Sequence, residues 1–203
     1  MSKIFVDKIT GKTGTGTPPI TLSGDTATLG SGVTFPAGHI IQVQNYFTNS
    51  QAITVTCAAN AYTLVPTFQV SITPSSTSNK ILIVLSLGGF NFSSTNYGIG
   101  GTGVFKRSIG GASFTEIGKG TGNTNFNESF HLPQASSTYY QGTVHKTFLD
   151  SPSTASACTY GIGVADHNNG TQTFYLNGRG AGSGDYPYLA TPCSSIIVME
   201  IRV

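Results

Sequence analysis

Charge is scarce in this chain. Its 203 residues hold ten basic and eight acidic side chains, so 9% are charged, against about 25% in an average domain. Ser, Thr, Asn, Gln and Gly must therefore cover the surface. That suits an all-β protein with polar, uncharged loops. It also suits an extracellular or virion-surface protein whose partner is neutral and polar, such as a glycan. The net charge of +2 and the lone adjacent basic pair, Lys106-Arg107, leave no clustered basic footprint. A nucleic-acid partner is not expected. No apolar run reaches transmembrane length. The longest, Ile81-Leu-Ile-Val-Leu85, is strand-sized, and membrane insertion is not expected. Residues 1–20 lack the apolar stretch of a secretory signal, so synthesis in a cytosol is expected. Cys57, Cys158 and Cys193 are an odd number at wide spacing, without CxxC or Cys/His ligand spacing. Neither a disulfide framework nor a metal site is expected, and no cofactor. Cys158 sits in an alternating segment and reads as a small buried hydrophobe.

Helix-forming segments are scarce too. The stretch 39–65 has no internal Gly or Pro, but it is full of Ile, Val, Thr, Tyr and Asn. These residues resist helix by β-branching and by side-chain competition for the backbone. What is present instead is strand after strand. Residues 39–47 form the first, with lesser segments at 52–56 and 62–65. Residues 68–73 alternate, with Phe68, Val70 and Ile72 on the buried face. Residues 80–87 are near-continuously apolar, the pattern of a central strand. Segments 104–108 and 114–117 flank Gly110-Gly111, a hairpin signal. Another strand covers 145–149. Cys158, Tyr160, Ile162 and Val164 share one face of the next, which Asn169-Gly170 turns into 172–176 as a hairpin. In the closing strand Ile197, Met199, Ile201 and Val203 share one face, and Glu200 and Arg202 the other. Eight or more short strands with turn signals predict an all-β head, an antiparallel sandwich or jelly roll, over 39–203.

Residues 1–38 differ in kind. Lys3-Ile-Phe-Val-Asp-Lys-Ile9 is a short strand candidate, followed by a Gly/Thr/Pro breaker and three brief apolar beats. Strands this small persist only by pairing with something else. Identical copies of the same extended arm are the natural partner, which predicts a homotrimer whose arms share strand edges. Ile4, Phe5, Val6 and Ile9 are the candidate attachment residues.

Catalytic motifs fail on context. Gly98-Ile-Gly-Gly-Thr-Gly103 matches G-x-G-x-x-G, but Val104-Phe-Lys-Arg after it reads as a strand, not the helix that would hold a pyrophosphate. Gly11-Lys12-Thr13 fails as a P-loop because Val6 stands where the upstream glycine is needed. None of His39, His131, His145 and His167 lies near a nucleophile elbow. Paired-carboxylate glycan hydrolysis would draw on Glu116, Glu128, Asp150, Asp166 and Asp185, once Asp7 and Asp25 in the arm and Glu200 in the last strand are set aside. Such a groove is not expected in so short a body, and the chain is not expected to be an enzyme. A glycan depolymerase remains the competing enzyme reading. The better candidates are in connections rich in aromatics, Asn, Ser, Thr and Gly, at 91–97, 121–130, 136–140 and 182–188. Tyr97, Phe126, Tyr139, Tyr140, Asp185, Tyr186 and Tyr188 offer flat faces and hydrogen-bonding forks for receptor binding, as adaptable recognition surfaces do.

Three groups of residues carry a family resemblance. Lys3–Ile9, the Gly-Thr-Gly repeats and Gly32-Val-Thr-Phe-Pro-Ala-Gly-His-Ile-Ile-Gln-Val43 resemble the N-terminal half of tail-fibre and related virion proteins of marine, cyanophage-like tailed bacteriophages. Thr73-Pro-Ser-Ser-Thr-Ser-Asn-Lys-Ile-Leu-Ile83, Phe148-Leu-Asp-Ser-Pro152 and Ser194-Ser-Ile-Ile-Val-Met-Glu-Ile201 resemble the β-rich head that follows. The resemblance implies a homotrimeric virion protein made in the host cytoplasm. It implies an arm that holds other virion proteins of tail or capsid, and a jelly-roll-like head that meets a host glycan or protein. It supplies no catalytic residues. A capsid decoration or tail adaptor without receptor binding is the alternative.

Overall fold

The computed structural model describes residues 8–9, 20–23, 26–30, 33, 35–51, 53–58, 61–93, 101–122, 127–132, 141–166, 171–178 and 192–203. Every regular element among the described residues is a β-strand, and every pairing is antiparallel. The chain divides into two compact units, Met1–His39 and Ile40–Val203.

The first unit holds a small sheet of β1 (Lys8–Ile9), β2 (Ile20–Ser23) and β3 (Thr26–Leu29), in that order. All four residues of β3 are exposed, including Leu29 at 56%. The ring of Phe35 stacks on His39 with centroids 4.4 Å apart.

The second unit is a two-layer sandwich. One layer contains β4 (Ile40–Thr48), β5 (Ile53–Cys57), β7 (Lys80–Phe92), β11 (Gly142–Asp150), β13 (Gln172–Leu176) and β14 (Ser194–Ile201). Its middle is β7, whose Ile81, Ile83, Leu85 and Leu87 are buried. On one edge β7 pairs with β11 from Ile81 to Phe90. It pairs with β14 along Lys80–Leu87 and with β13 along Phe90–Phe92. Next, β4 pairs with β14 and β5 with β13. The other layer contains β6 (Thr63–Ile72), β8 (Gly101–Ile109), β9 (Thr115–Ile117), β10 (Phe130–Leu132) and β12 (Cys158–Asp166). Its order is β10-β8-β12-β6, with β9 also on β8. Aromatic rings fill the space between the layers. Phe90, Phe92 and Phe174 form one cluster, with centroids 5.3 to 6.4 Å apart, and Phe105 packs on Phe130 and Phe148.

This architecture is the antiparallel all-β sandwich that the strand patterns predict. Phe68, Val70, Ile72, Cys158, Tyr160, Ile162 and Val164 are all buried in the core. Three local expectations are corrected. The segments 62–65 and 68–73 are one strand, β6, carried through Pro66 by a bulge in which Thr67 has φ 61°. Proline is tolerated there because β6 is an edge strand. The strands flanking Asn169-Gly170 are not a hairpin: β12 pairs with β8 and β6 in one layer, and β13 with β5 and β7 in the other. Turn chemistry reverses the chain but does not choose the layer it re-enters. Residues 169–170 themselves lie outside the described residues. Finally, β14 turns its other face to the core. Ile196, Val198 and Glu200 are buried, whereas Ile197, Met199 and Ile201 are half-buried on the opposite face.

Two carboxylates in the interior hold the sandwich together. Asp150 accepts from Arg107 Nη1 at 2.8 Å through both oxygens and from the Tyr160 hydroxyl at 2.8 Å. This brace ties β11 of one layer to β8 and β12 of the other. Burial, reinforced by the Asp150 charge, pushes the Tyr160 phenol up. Glu200 is fully buried and accepts from four neutral donors: Gln42 Nε2 at 2.6 Å, Ser75 N at 2.7 Å, Ser75 Oγ at 2.8 Å and Asn79 Nδ2 at 2.6 Å. Burial pushes its carboxyl up, but these bonds outweigh burial and hold it below the ordinary range. The last strand is thereby locked to β4 and to the turn at 73–79.

Because the folded-state carboxyl of Glu200 lies below its unfolded value of about 4.3, its contribution is complete above that range and is lost as pH falls through the depressed value. Glu200→Gln sets an amide against the same donors and should cost about 3 kcal/mol at pH 7. Denaturant titrations from pH 7 to 3 should show the gap to the native chain narrowing below about pH 4.3. A gap independent of pH would contradict this account.

Candidate functional site

The connection between β13 and β14 has a built stem. It leaves after Leu176 and returns at Pro192-Cys193, alongside Gly88 and Gly89 in the middle of β7. A strand glycine marks close backbone approach. A side chain on Gly88 would strike the Cys193 carbonyl, and one on Gly89 would strike the Pro192 ring. Asn177 anchors the outgoing side. It is fully buried, with φ 55°, a left-handed conformation that asparagine tolerates better than most residues. Its N–H donates to Gly89 O at 2.8 Å and its Nδ2 to Thr48 O at 3.0 Å. Its Oδ1 accepts from Ser194 Oγ at 2.6 Å. Gln141 Nε2 donates to Gly178 O at 3.1 Å and ties in the start of β11. The stem thus fixes both ends of the segment that carries Asp185, Tyr186 and Tyr188.

A second polar surface lies on the outer face and margin of β8. Gly163 of β12 has no side chain, and the Lys106 stem occupies the space where one would sit, next to Tyr62. Lys106 Nζ lies 3.7 Å from Glu116 Oε1, and Lys119 Nζ lies 2.9 Å from Glu116 Oε2. His131 Nδ1 lies 3.7 Å from Glu128 Oε2. The Tyr62 hydroxyl donates to Asn127 O at 3.2 Å. Burial raises the Tyr62 phenol, and the Glu128 and Glu116 charges add to it. The phenol is therefore a hydrogen-bonding group throughout the neutral range. Of the five acids considered for hydrolysis, Glu116 is paired with Lys106 and Lys119, Glu128 lies beside His131, and Asp150 is held by Arg107 and Tyr160 in the interior.

All seven receptor-binding candidates, Tyr97, Phe126, Tyr139, Tyr140, Asp185, Tyr186 and Tyr188, lie outside the described residues, as do Ile4, Phe5 and Val6. Ile9 is in β1, opposite Ile20. The strand ends that flank the candidates are described. Tyr97 falls between Phe92 and Gly101, and Tyr139 and Tyr140 between Leu132 and Gly142. Leu132 pairs with Gly101, Gly142 with Phe90 and Asp166 with Gly101, so these connections share one end of the sandwich. Phe126 belongs to the connection between β9 and β10, both on the outer edge of β8. The 177–193 connection is rooted elsewhere, halfway along β7. The candidates therefore divide into three groups by their roots. Sequence reasoning missed the stem residues Asn177, Ser194, Gly88 and Gly89. The available signal was the Gly88-Gly89 pair inside an apolar strand. The Tyr62–Lys106 surface was signalled by Lys106, Arg107, Glu116, Lys119 and Glu128 falling close together in a chain poor in charge.

No protein-family model and no curated protein matches the chain. Among solved structures, the chain is similar to the infectious bursal disease virus VP2 subviral particle at 9% identity and TM-score 0.36, covering 92% of this chain and 43% of that one. The Gt strain of infectious bursal disease virus matches at 9% identity and TM-score 0.35, covering 92% and 43%. The chain spans less than half of either viral chain.

Asn177→Ala leaves the buried Thr48 carbonyl and Ser194 hydroxyl without their partner. It should cost about 3 kcal/mol and speed proteolytic cutting within 178–192. Thermal unfolding together with mapped limited proteolysis reads both effects. A variant cut no faster there than the native chain would show that Asn177 does not fix the stem.

Proposed function

We propose that the chain is a structural fibre or spike protein of a tailed-phage virion, held as a homotrimer by its N-terminal unit and presenting the sandwich to the host surface. The observation that carries the reading is the contrast between its two units. The first is a sheet of three strands no longer than four residues, whose last strand is wholly exposed. A sheet so small is marginal in water. The second is a closed sandwich with its final strand locked from both sides. A weak unit joined to a rigid one suits a part that is completed by sister chains and other virion proteins at one end and displayed at the other. The sequence resemblance to tail-fibre and related virion proteins points the same way, and gives the virion as its location. The host-facing groups are the tyrosine-bearing connections and the Tyr62–Lys106 surface, and the ligand class is a neutral or weakly charged glycan or a polar protein surface. Its work is recognition and assembly, without catalysis, cofactor or nucleic acid.

Removing residues 1–35 should leave a head with unchanged far-ultraviolet circular dichroism that no longer joins particles. Sedimentation velocity on the full chain should give three times the 21.1 kDa of one chain, and the truncated chain should give a smaller species. Recovery of the truncated protein on purified virions would count against the reading.

A further inference from the structure

The sequence holds two Asn-Gly dipeptides, Asn169-Gly170 and Asn177-Gly178. The first lies outside the described residues, and the second forms the outgoing side of the stem. Asparagine is thermally labile, and a following glycine makes it more so, because no Cβ shields the glycine nitrogen and the backbone bends freely there. The Gly178 nitrogen attacks Asn177 Cγ, a C–N bond forms, and Nδ2 leaves as ammonia. Water then opens the cyclic imide at either carbonyl and gives aspartate or isoaspartate at 177. No oxidant or reductant takes part. The folded stem obstructs each step. Asn177 is fully buried, so ammonia has no exit and water no entry. The Thr48 carbonyl holds its Nδ2 at 3.0 Å and the Ser194 hydroxyl holds its Oδ1 at 2.6 Å. Turning Cγ onto the Gly178 nitrogen breaks both bonds. Gly178 is itself held, through its carbonyl, by Gln141 Nε2 at 3.1 Å.

We propose that Asn177-Gly178 is a self-modification site, silent while the stem is closed and converted to aspartate or isoaspartate once the stem opens. The conversion is one-way for the stem. Aspartate puts a carboxylate oxygen where Nδ2 donates, 3.0 Å from the Thr48 carbonyl. Two acceptors then face each other without a proton between them, in a site closed to water, and a buried charge is left without a partner. Isoaspartate routes the backbone through the side-chain methylene and carries Gly178 away from Gln141. Either product leaves the 177–193 connection unlatched. Opening of one stem is a local event that takes less free energy than unfolding of the whole sandwich. Conversion therefore proceeds in a chain whose core is intact, and a brief opening becomes a permanent one. The inference rests on the stem alone and holds whatever the connection binds.

The test incubates the full chain at mildly alkaline pH, folded and in denaturant. Peptide mapping by mass spectrometry reads the exchange of amide for carboxyl at 177, and isoaspartyl-specific enzymatic methylation reads the isomer. Asn169-Gly170 calibrates the denatured rate. In denaturant, 177 should convert as fast as 169. In the folded chain it should convert on the order of 100-fold more slowly, the weight of the buried bonds that opening breaks. Ser194→Ala removes the donor to Oδ1 and should speed folded-state conversion about tenfold. Asn177→Asp supplies the product without the reaction, and limited proteolysis should cut it faster than the native chain within 178–192. The comparison of folded with denatured native chain does not depend on either variant folding. A folded chain that converts 177 at the denatured rate overturns the proposal, as does a denatured chain that converts 169 and leaves 177 intact. A folded Ser194→Ala that converts no faster than the native chain overturns it too, since opening then does not pass through the stem. Asn177→Asp cut as slowly as the native chain overturns the one-way step.

Discussion

The sandwich depends on how β7 shares its two edges. Thirteen residues long, it is the longest strand described. One edge is given to β11 from Ile81 to Phe90, while on the other β14 takes Lys80–Leu87 and β13 takes Phe90–Phe92. The handover falls at Gly88-Gly89, where absent side chains let the Cys193 carbonyl and the Pro192 ring approach. The stem of the 177–193 connection forms at this point because two successive partners of one strand end there. The aromatic cluster of Phe90, Phe92 and Phe174 lies beyond the handover, and the unbroken aliphatic row before it. A polar knot around Asn177 thus separates two differently packed halves of a single layer.

Buried carboxylates are expensive unless each oxygen is satisfied, and the chain solves this in two ways. Asp150 uses a cation and a phenol drawn from the opposite layer. Glu200 uses neutral amides, a hydroxyl and a backbone N–H. The first solution orients one layer on the other. The second locks the end of the chain to a neighbouring strand and a turn. Removing either carboxylate would leave donors buried without acceptors, so both act as specificity devices as well as contacts. With these acids inside, the charges left for the surface are few, and four of them, Lys106, Glu116, Lys119 and Glu128, lie along β8 to β10.

Strand existence was readable because alternation reports a half-buried surface directly. Residues 172–176 have the same bounds in sequence and structure. The inward set Cys158, Tyr160, Ile162 and Val164 is where alternation puts it. Alternation was silent where both faces of a strand are apolar. In β14, Ile196 and Val198 compete with Ile197, Met199 and Ile201, and the choice is made by Glu200, whose donors come from residues more than 120 positions away. Layer membership was also beyond local reading, since Asn169-Gly170 signals reversal and nothing more. The candidate site was legible as composition. Its stem was not, because the Asn177 contacts to Thr48 and Gly89 join strands distant in sequence.

The two outer faces of the sandwich cannot serve the same purpose. Water accepts a sheet face whose outward side chains are polar, as around Lys106 and Tyr62. It does not favour the row of Leu149, Leu82, Met199 and Val43 across β11, β7, β14 and β4, where contiguous apolar area is left over after the core is complete. Both apolar faces of β14 need cover, and the core provides it for only one. The same asymmetry accounts for Glu200. Its inward placement leaves Ile197, Met199 and Ile201 on the outer face, so one buried, fully bonded carboxylate sets which side of the last strand meets the core.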